Sequence, residues 1–235
     1  MWPDLELFRA RHARFHAARS RIATHAIGDR AVRETLDSWA ALPSGSAGRH
    51  RTEHLETLPD ATLARPGPEL ATASMQPVHL RWLAPDLTDP WSARLDLPRC
   101  VYAWRFGDVA DSGALVVLGS DWPVAPSDPR FGFYAARTRH AHDVEPGAYG
   151  SSRPLTGEEM LAGYTRNPAL AVGADAAVVA QGRPADLVIW GGDPVTVGVA
   201  ELPELPVMVT CGRRPRGASH ALTDGGSGPR SGLRR

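Results

Sequence analysis

Apolar residues recur at two different spacings along the first 170 residues of the chain. Helical spacing runs through residues 4–20 and again through residues 31–42. The run ALVVL at residues 114–118 is flanked by glycines and predicts a buried strand. Shorter segments of strand character lie at residues 21–24, 49–54 and 71–75.

Turn and capping residues predict further elements. Thr156 is followed three residues later by Glu159, which is the pattern of a capping box and predicts a helix through Thr165. Residues 80–98 are rich in proline and are predicted to form a long ordered loop. The pattern also predicts helices at residues 104–111 and 133–140 and strands at residues 185–190 and 206–212.

The order of these elements predicts an α/β fold. Up to residue 170, strands alternate with helices, as they do in parallel βαβ units. The last two predicted strands lie outside that alternation and are of the kind that builds a small sheet. From residue 213 onward Gly, Ser, Pro and Arg dominate, which predicts a disordered tail over residues 213–235.

Charge and cysteine content exclude several classes of partner and compartment. The 26 basic and 26 acidic side chains balance, so the charge gives no reason to expect a nucleic acid or an anionic membrane as partner. No apolar run approaches the roughly 20 residues of a membrane helix. Cys100 and Cys211 form no CxxC pattern, and we expect a cytoplasmic protein without a disulfide scaffold.

Three polar residues follow predicted strands and are candidates for chemistry: His25, His54 and Asp121. The carboxyl ends of parallel strands meet at one face, so two imidazoles and a carboxylate could converge there. These are ligand types that suit zinc and similar divalent metals, and a carboxylate beside the metal can act as a general base. A lone histidine after a strand is also often structural, and the aspartate could instead cap a turn. Spacing alone leaves both alternatives open.

Six sequence motifs resemble the amidohydrolase family 3 branch of the metal-dependent amidohydrolases, which includes N-substituted formamide deformylases. They are HAIGDRAV at 25–32, the Glu-His pair at 53–54, ASMQPVH at 73–79, GSDWPV at 119–124, YTRNPA at 164–169 and ADLVIWGGDP at 185–194. The resemblance covers about residues 5–212. It implies the C-terminal half of a TIM-type (β/α)8 barrel, followed by a few strands of a small β-sandwich domain.

The resemblance also implies a domain division and the roles of particular residues. Residues 1–175 would form the partial barrel with strands five to eight, and residues 176–212 would contribute the sandwich strands. His25 and His54 correspond to metal ligands, and Asp121 to the catalytic acid/base beside the metal. We expect Gln76, His79 and Trp122 to line the substrate pocket, although His79 could equally be a structural residue.

The family's metal site requires an H-x-H pair on the first barrel strand and a further ligand from the middle of the barrel. Neither has a match in this sequence. His140 and His142 form an H-x-H pattern, but it follows the Asp121 strand and is not the expected pair. We therefore expect an incomplete site for a divalent metal, with zinc favoured.

Two hypotheses follow for function. In the first, the chain is part of a hydrolase that acts on small-molecule amides or formamides, with an N-terminal half supplied on another chain or omitted from this sequence. In the second, it is a non-catalytic remnant of a split or truncated gene. We favour the remnant hypothesis for the isolated chain and the hydrolase hypothesis for its ancestry and chemistry.

Overall fold

The structure is a computed structural model that describes residues 4–43, 50–65, 72–95, 97–145, 150, 152–174 and 178–212. The predicted tail at residues 213–235 and the predicted domain boundary at residue 175 lie outside the described residues. Among the residues described, no helix is both long and apolar enough to cross a membrane.

A parallel four-stranded sheet organises the larger part of the chain. Its strands pair in sequence order, so each neighbour in the sheet is also the next strand along the chain. They are β1 (Ala23–Ala26), β2 (Arg51–His54), β3 (Thr72–Met75) and β4 (Leu115–Leu118). The prediction of parallel βαβ units is confirmed, and the α/β architecture agrees with half of a TIM-type barrel.

Helices connect and cover these strands. The α-helices are α1 (Leu5–Ala17), α2 (Asp29–Ala40), α3 (Asp60–Leu63), α4 (Leu97–Cys100), α5 (Phe106–Asp111), α6 (Pro129–Thr138), α7 (Gly157–Tyr164) and α8 (Arg166–Ala171). The 3₁₀ helices span Pro77–Trp82, Ser92–Arg94 and Val199–Glu204. The capping box predicted at the start of α7 is confirmed, because Thr156 and Glu159 each accept a hydrogen bond from the other's backbone N–H.

Several elements differ from the sequence prediction. Strand β1 spans Ala23–Ala26 rather than residues 21–24, so His25 lies within the strand and does not follow it. Helix α8 was not predicted. Helix α6 begins at Pro129 rather than near residue 133, because the Asp128 side chain caps the helix and Pro129 occupies its first turn. The segment 80–98, predicted as a loop, contains the end of one 3₁₀ helix, all of a second and the start of α4. Proline-rich sequence is compatible with such short helical turns, since proline fits the first turn of a helix.

The outer face of β4 packs against α7 and α8. Val116 and Leu118 are buried on this face, whereas Leu115 and Val117 alternate to the other face and are only partly buried. The Asn167 amide donates a hydrogen bond of 2.8 Å to the Val116 carbonyl and ties α8 to the strand. Gly163 of α7 lies directly against the Leu118 side chain. The predicted burial of this strand is therefore complete on one face and partial on the other.

The last two strands form a separate antiparallel pair of β5 (Leu187–Trp190) and β6 (Val207–Cys211). The pair is joined to the rest of the protein through α6. The Trp190 ring lies 5.7 Å from the Phe133 ring, and the 3₁₀ helix Val199–Glu204 packs along α6. A small sheet after the barrel segment agrees with the prediction from sequence.

A buried histidine links α1 to β1 and α2. His12 Nδ1 lies 2.9 Å from Ser38 Oγ, and its Nε2 lies 3.2 Å from Thr24 Oγ1. Burial, and next the nearby His50 imidazole, lowers the pKa of His12 from 6.5 to about 4. The folded protein therefore holds this imidazole neutral over a pH range in which the unfolded chain binds a proton.

This arrangement makes stability depend on pH through His12. The unfolded state binds more protons between about pH 6.5 and pH 4, so the stabilisation is present above this window and is lost as the pH falls through it. We expect the free energy of unfolding to fall between pH 7 and pH 5 in the wild type. This fall should be about 2 kcal/mol larger than in His12→Gln, which lacks the titrating group. Urea denaturation at both pH values measures the difference, with the exposed His142→Gln as control. An equal pH dependence in wild type and His12→Gln would contradict this role.

The contact between α7 and β4 leaves no room for a side chain at Gly163. A Cβ atom there would stand 2.7 Å from Leu118 Cγ, whereas a Cβ at Gly119 would meet nothing within 4 Å. We expect Gly163→Ala to lower the free energy of unfolding by about 1–3 kcal/mol, because one of the two elements must move. Gly119→Ala is the control and should change stability much less in the same chemical denaturation. Equal stability of the two variants would show that α7 does not pack tightly on β4.

Candidate metal centre

The parallel sheet brings the three candidate residues to its carboxyl edge. Ala26, which follows His25, pairs in register with His54, so the ends of β1 and β2 are level. Asp121 lies three residues beyond the end of β4. The sequence prediction relied on this property of parallel strands, and the topology agrees with it.

His25 and His54 face each other across this edge. His25 Nδ1 lies 2.7 Å from His54 Nε2, and the ring centroids are 4.7 Å apart. His54 is 5% exposed, whereas His25 lies open to solvent. The His54 ring is therefore fixed by its surroundings, and His25 presents its Nδ1 to that ring from the solvent side.

The surroundings of His54 favour its neutral form. Burial, and next the facing His25 imidazole, lowers the pKa of His54 below its usual value. The charges of Glu56 and Asp121 act in the opposite direction and do not reverse the shift. A neutral imidazole has the free lone pair that a metal ligand needs.

Left-handed backbone conformations occur at two of the three candidate residues. His54 has a φ of 79°, the following Leu55 a φ of 47°, and Asp121 a φ of 56°. Such conformations cost non-glycine residues on the order of 1–3 kcal/mol each and persist where the surrounding structure holds them. They turn the chain sharply at the ends of β2 and β4, where the candidate side chains project.

The three residues expected in the substrate pocket occupy different places. Gln76 is buried, and its Oε1 lies 3.0 Å from His54 Nδ1. The His79 ring is stacked on the His54 ring at 6.2 Å, and its Nε2 lies 3.3 Å from the Ser120 carbonyl. Trp122 follows Asp121 and is 71% exposed. The structure thus brings Gln76 and His79 against His54 and leaves Trp122 at the surface.

Glu56 is a further residue of this region that the sequence analysis did not single out. It is buried, and its Oε2 accepts a hydrogen bond of 2.7 Å from Trp91 Nε1. Its Oε1 lies 3.8 Å from His79 Nδ1. The signal that could have identified it is its position two residues after His54, at the carboxyl end of the same strand.

Two overlapping groups of side chains could hold a metal ion. The pair His25 and His54 presents nitrogens 2.7 Å apart, a hydrogen-bonding distance that would widen to the separation of about 3.3 Å for two nitrogens on one tetrahedral zinc. The group His54, Glu56 and His79 has ligand atoms that all lie within 4.8 Å of one another. Glu56 and His79 already bond to Trp91 and to the Ser120 carbonyl, and His54 directs Nδ1 to Gln76. His54 Nε2 is hydrogen-bonded to the exposed His25 ring, which is less constrained than the buried Glu56 and His79 side chains, so we favour the first group.

The sequence as a whole matches a known family. The model of the amidohydrolase family matches residues 1–213. The chain belongs to the amidohydrolase family. The resemblance proposed from the motifs is thereby confirmed at the level of the family.

Two curated proteins are similar to this amidohydrolase chain. The putative amidohydrolase YtcJ of Bacillus subtilis (strain 168) is 28% identical over 193 residues, which cover 80% of this chain and 36% of that protein. Protein LONG AFTER FAR-RED 3 of Arabidopsis thaliana is 35% identical over 112 residues, which cover 46% of this chain and 18% of that protein. The chain thus spans little more than a third of the length of YtcJ.

Solved structures show the same fold. An uncharacterized metal-dependent hydrolase from Pyrococcus horikoshii OT3 superposes with a TM-score of 0.69 at 24% identity, over 84% of this chain and 39% of that one. A variant of atrazine chlorohydrolase from Arthrobacter aurescens TC1, complexed with zinc and atraton, superposes with a TM-score of 0.52 at 20% identity. That match covers 86% of this chain and 44% of the other.

Proposed function

We propose that the chain forms the half of a metal-dependent hydrolase barrel that carries His25, His54 and Asp121. The substrates would be small molecules with a non-peptide amide or formamide bond, and the products a carboxylate and an amine. The observation that carries the proposal is the 2.7 Å approach of His25 Nδ1 to His54 Nε2 at the carboxyl edge of the sheet. Membership of the amidohydrolase family supports it.

His25 and His54 would hold a divalent metal, for which zinc is the best match to imidazole ligands. When bound, such a metal lowers the pKa of a coordinated water and polarises a carbonyl group. The burial that keeps His54 neutral prepares this residue for the role before the metal arrives. The buried Glu56 carboxylate, which lies 3.8 Å from His79 Nδ1, would hold the His79 ring beside His54.

Asp121 would move the proton. Its carboxylate lies near enough to His54 that its charge acts to raise the pKa of that imidazole. We assign to its Oδ atoms the removal of a proton from the attacking water and its delivery to the leaving amine nitrogen. Trp122, which follows Asp121, and His79, whose Nε2 lies 3.3 Å from the Ser120 carbonyl, would border the bound substrate.

The remaining metal ligands would come from a complementary N-terminal half of the barrel. Four parallel strands are half of the eight that close a TIM-type barrel. A complementary half with an H-x-H pair on its first strand would complete both the barrel and the ligand set. It would be either a separate polypeptide or a segment encoded upstream of Met1.

Activity measurements with and without that half test the proposal. The chain is purified alone and after co-expression with a family N-terminal half that carries the H-x-H pair, and hydrolysis of N-substituted formamides is followed with added zinc. We expect zinc-dependent hydrolysis in the co-expressed pair. Asp121→Asn should lower kcat by about 10²-fold or more, because proton transfer of this kind contributes roughly 10²–10⁴-fold.

The exposed Asp86→Asn serves as the matched control and should retain the wild-type rate. Hydrolysis that survives Asp121→Asn unchanged would contradict the assigned proton transfer. A co-expressed pair that folds together and shows no zinc-dependent hydrolysis would instead favour the non-catalytic remnant. Inspection of the DNA upstream of Met1 for a frame that encodes an H-x-H motif separates a split enzyme from that remnant.

A further inference from the structure

The hydrogen bonds of Gln76 fix its orientation behind His54. Its Nε2 donates to the Ser74 carbonyl at 3.4 Å, so its Oε1 is the atom that faces His54 Nδ1 at 3.0 Å. An amide oxygen can only accept, and His54 Nδ1 must therefore carry the proton. Gln76 is 5% exposed, so the bond is shielded from competition with solvent.

A proton on Nδ1 determines the state of the other ring nitrogen. In a neutral imidazole one nitrogen donates and the other has a free lone pair, so Nε2 of His54 carries the lone pair. This is the nitrogen that faces His25 Nδ1 at 2.7 Å. In the metal-free chain His25 Nδ1–H then donates to His54 Nε2, so both rings carry a proton on Nδ1.

We propose that Gln76 is a positioning residue that holds His54 in the tautomer with Nε2 free for a metal. This inference rests on the proposed function and adds to it, because Gln76 acts through His54 and not on the substrate. Histidine ligands commonly donate their second N–H to such a partner, which fixes the ring and raises its basicity. Gln76 follows β3 directly, and the neighbouring strand thus supplies the support for the ligand at the end of β2.

Two variants separate the hydrogen bond from the size of the side chain. Gln76→Leu keeps much of the volume and removes the acceptor, whereas Gln76→Glu keeps an acceptor at the same place. Gln181 is exposed, and Gln181→Leu is the matched control. Circular dichroism and thermal unfolding identify any variant that fails to fold. If Gln76→Leu fails to fold, the tautomer of His54 in the wild type still decides the test.

The first readout is the tautomer of His54 in the metal-free chain. Two-dimensional NMR of ¹⁵N-labelled imidazoles distinguishes a protonated Nδ1 from a protonated Nε2. We expect the Nδ1–H form in the wild type, in Gln76→Glu and in Gln181→Leu, and a shift toward the Nε2–H form in Gln76→Leu. A wild-type His54 that carries its proton on Nε2, or an unchanged tautomer in Gln76→Leu, would overturn the inference.

The second readout is zinc affinity, measured by competition with a chromophoric chelator. We expect Gln76→Leu to weaken zinc binding about 10–100-fold, the usual loss when the partner of a ligating histidine is removed. Gln76→Glu should restore most of the affinity, and Gln181→Leu should leave it unchanged. Unchanged affinity in Gln76→Leu would contradict the positioning role.

The two readouts also separate this inference from the proposed function. A wild-type chain that binds no zinc while His54 carries its proton on Nδ1 contradicts the metal site and supports the assignment of the Gln76 hydrogen bond. If the wild-type chain binds zinc and Gln76→Leu has the same zinc affinity and the same His54 tautomer, the metal site is supported and the role of Gln76 is overturned.

Discussion

The in-register parallel pairing of four short strands is the constraint on which the candidate centre depends. It sets the ends of β1 and β2 level and brings the β3 and β4 ends to the same edge of the sheet. Residues from four distant parts of the chain thereby reach one place: His25, His54, Gln76 and Asp121. Helices α7 and α8 pack against β4 and hold this edge in position. The chemistry proposed for the chain follows from this alignment, because no segment alone contains the necessary groups.

Around His54, polar groups that are buried find partners in one another. Gln76 Oε1 accepts a hydrogen bond from His54 Nδ1–H, His79 stacks on the ring, and Glu56 connects His79 to Trp91. Burial would penalise each of these groups if it stood alone, and the network offsets that penalty. The same network leaves one nitrogen of His54 directed at His25. His54 is thus held in position before a ligand arrives, whereas the exposed His25 must give up its hydrogen bond to His54 when a metal binds.

The sequence was sufficient to predict the alternation of strands and helices and the ends of β2, β3 and β4, whereas β1 ends two residues later than predicted. Apolar runs and strand-helix alternation report on burial and topology, and the capping box at Thr156 is a local interaction. The roles of Glu56 and Gln76 could not be predicted in the same way, because a hydrogen bond between side chains 22 residues apart depends on tertiary contacts. The early start of α6 was missed for a different reason, because the Asp128 cap and Pro129 are local signals but the first turn holds few apolar residues.

The most direct test of the account is to locate a bound metal. Crystals of the chain soaked in zinc and measured by anomalous X-ray diffraction would show the ion without reference to any activity. The account predicts an anomalous peak at about 2.0–2.1 Å from both His25 Nδ1 and His54 Nε2. A peak held by Glu56 and His79 without His25, or no peak near His54 at a saturating zinc concentration, would contradict it.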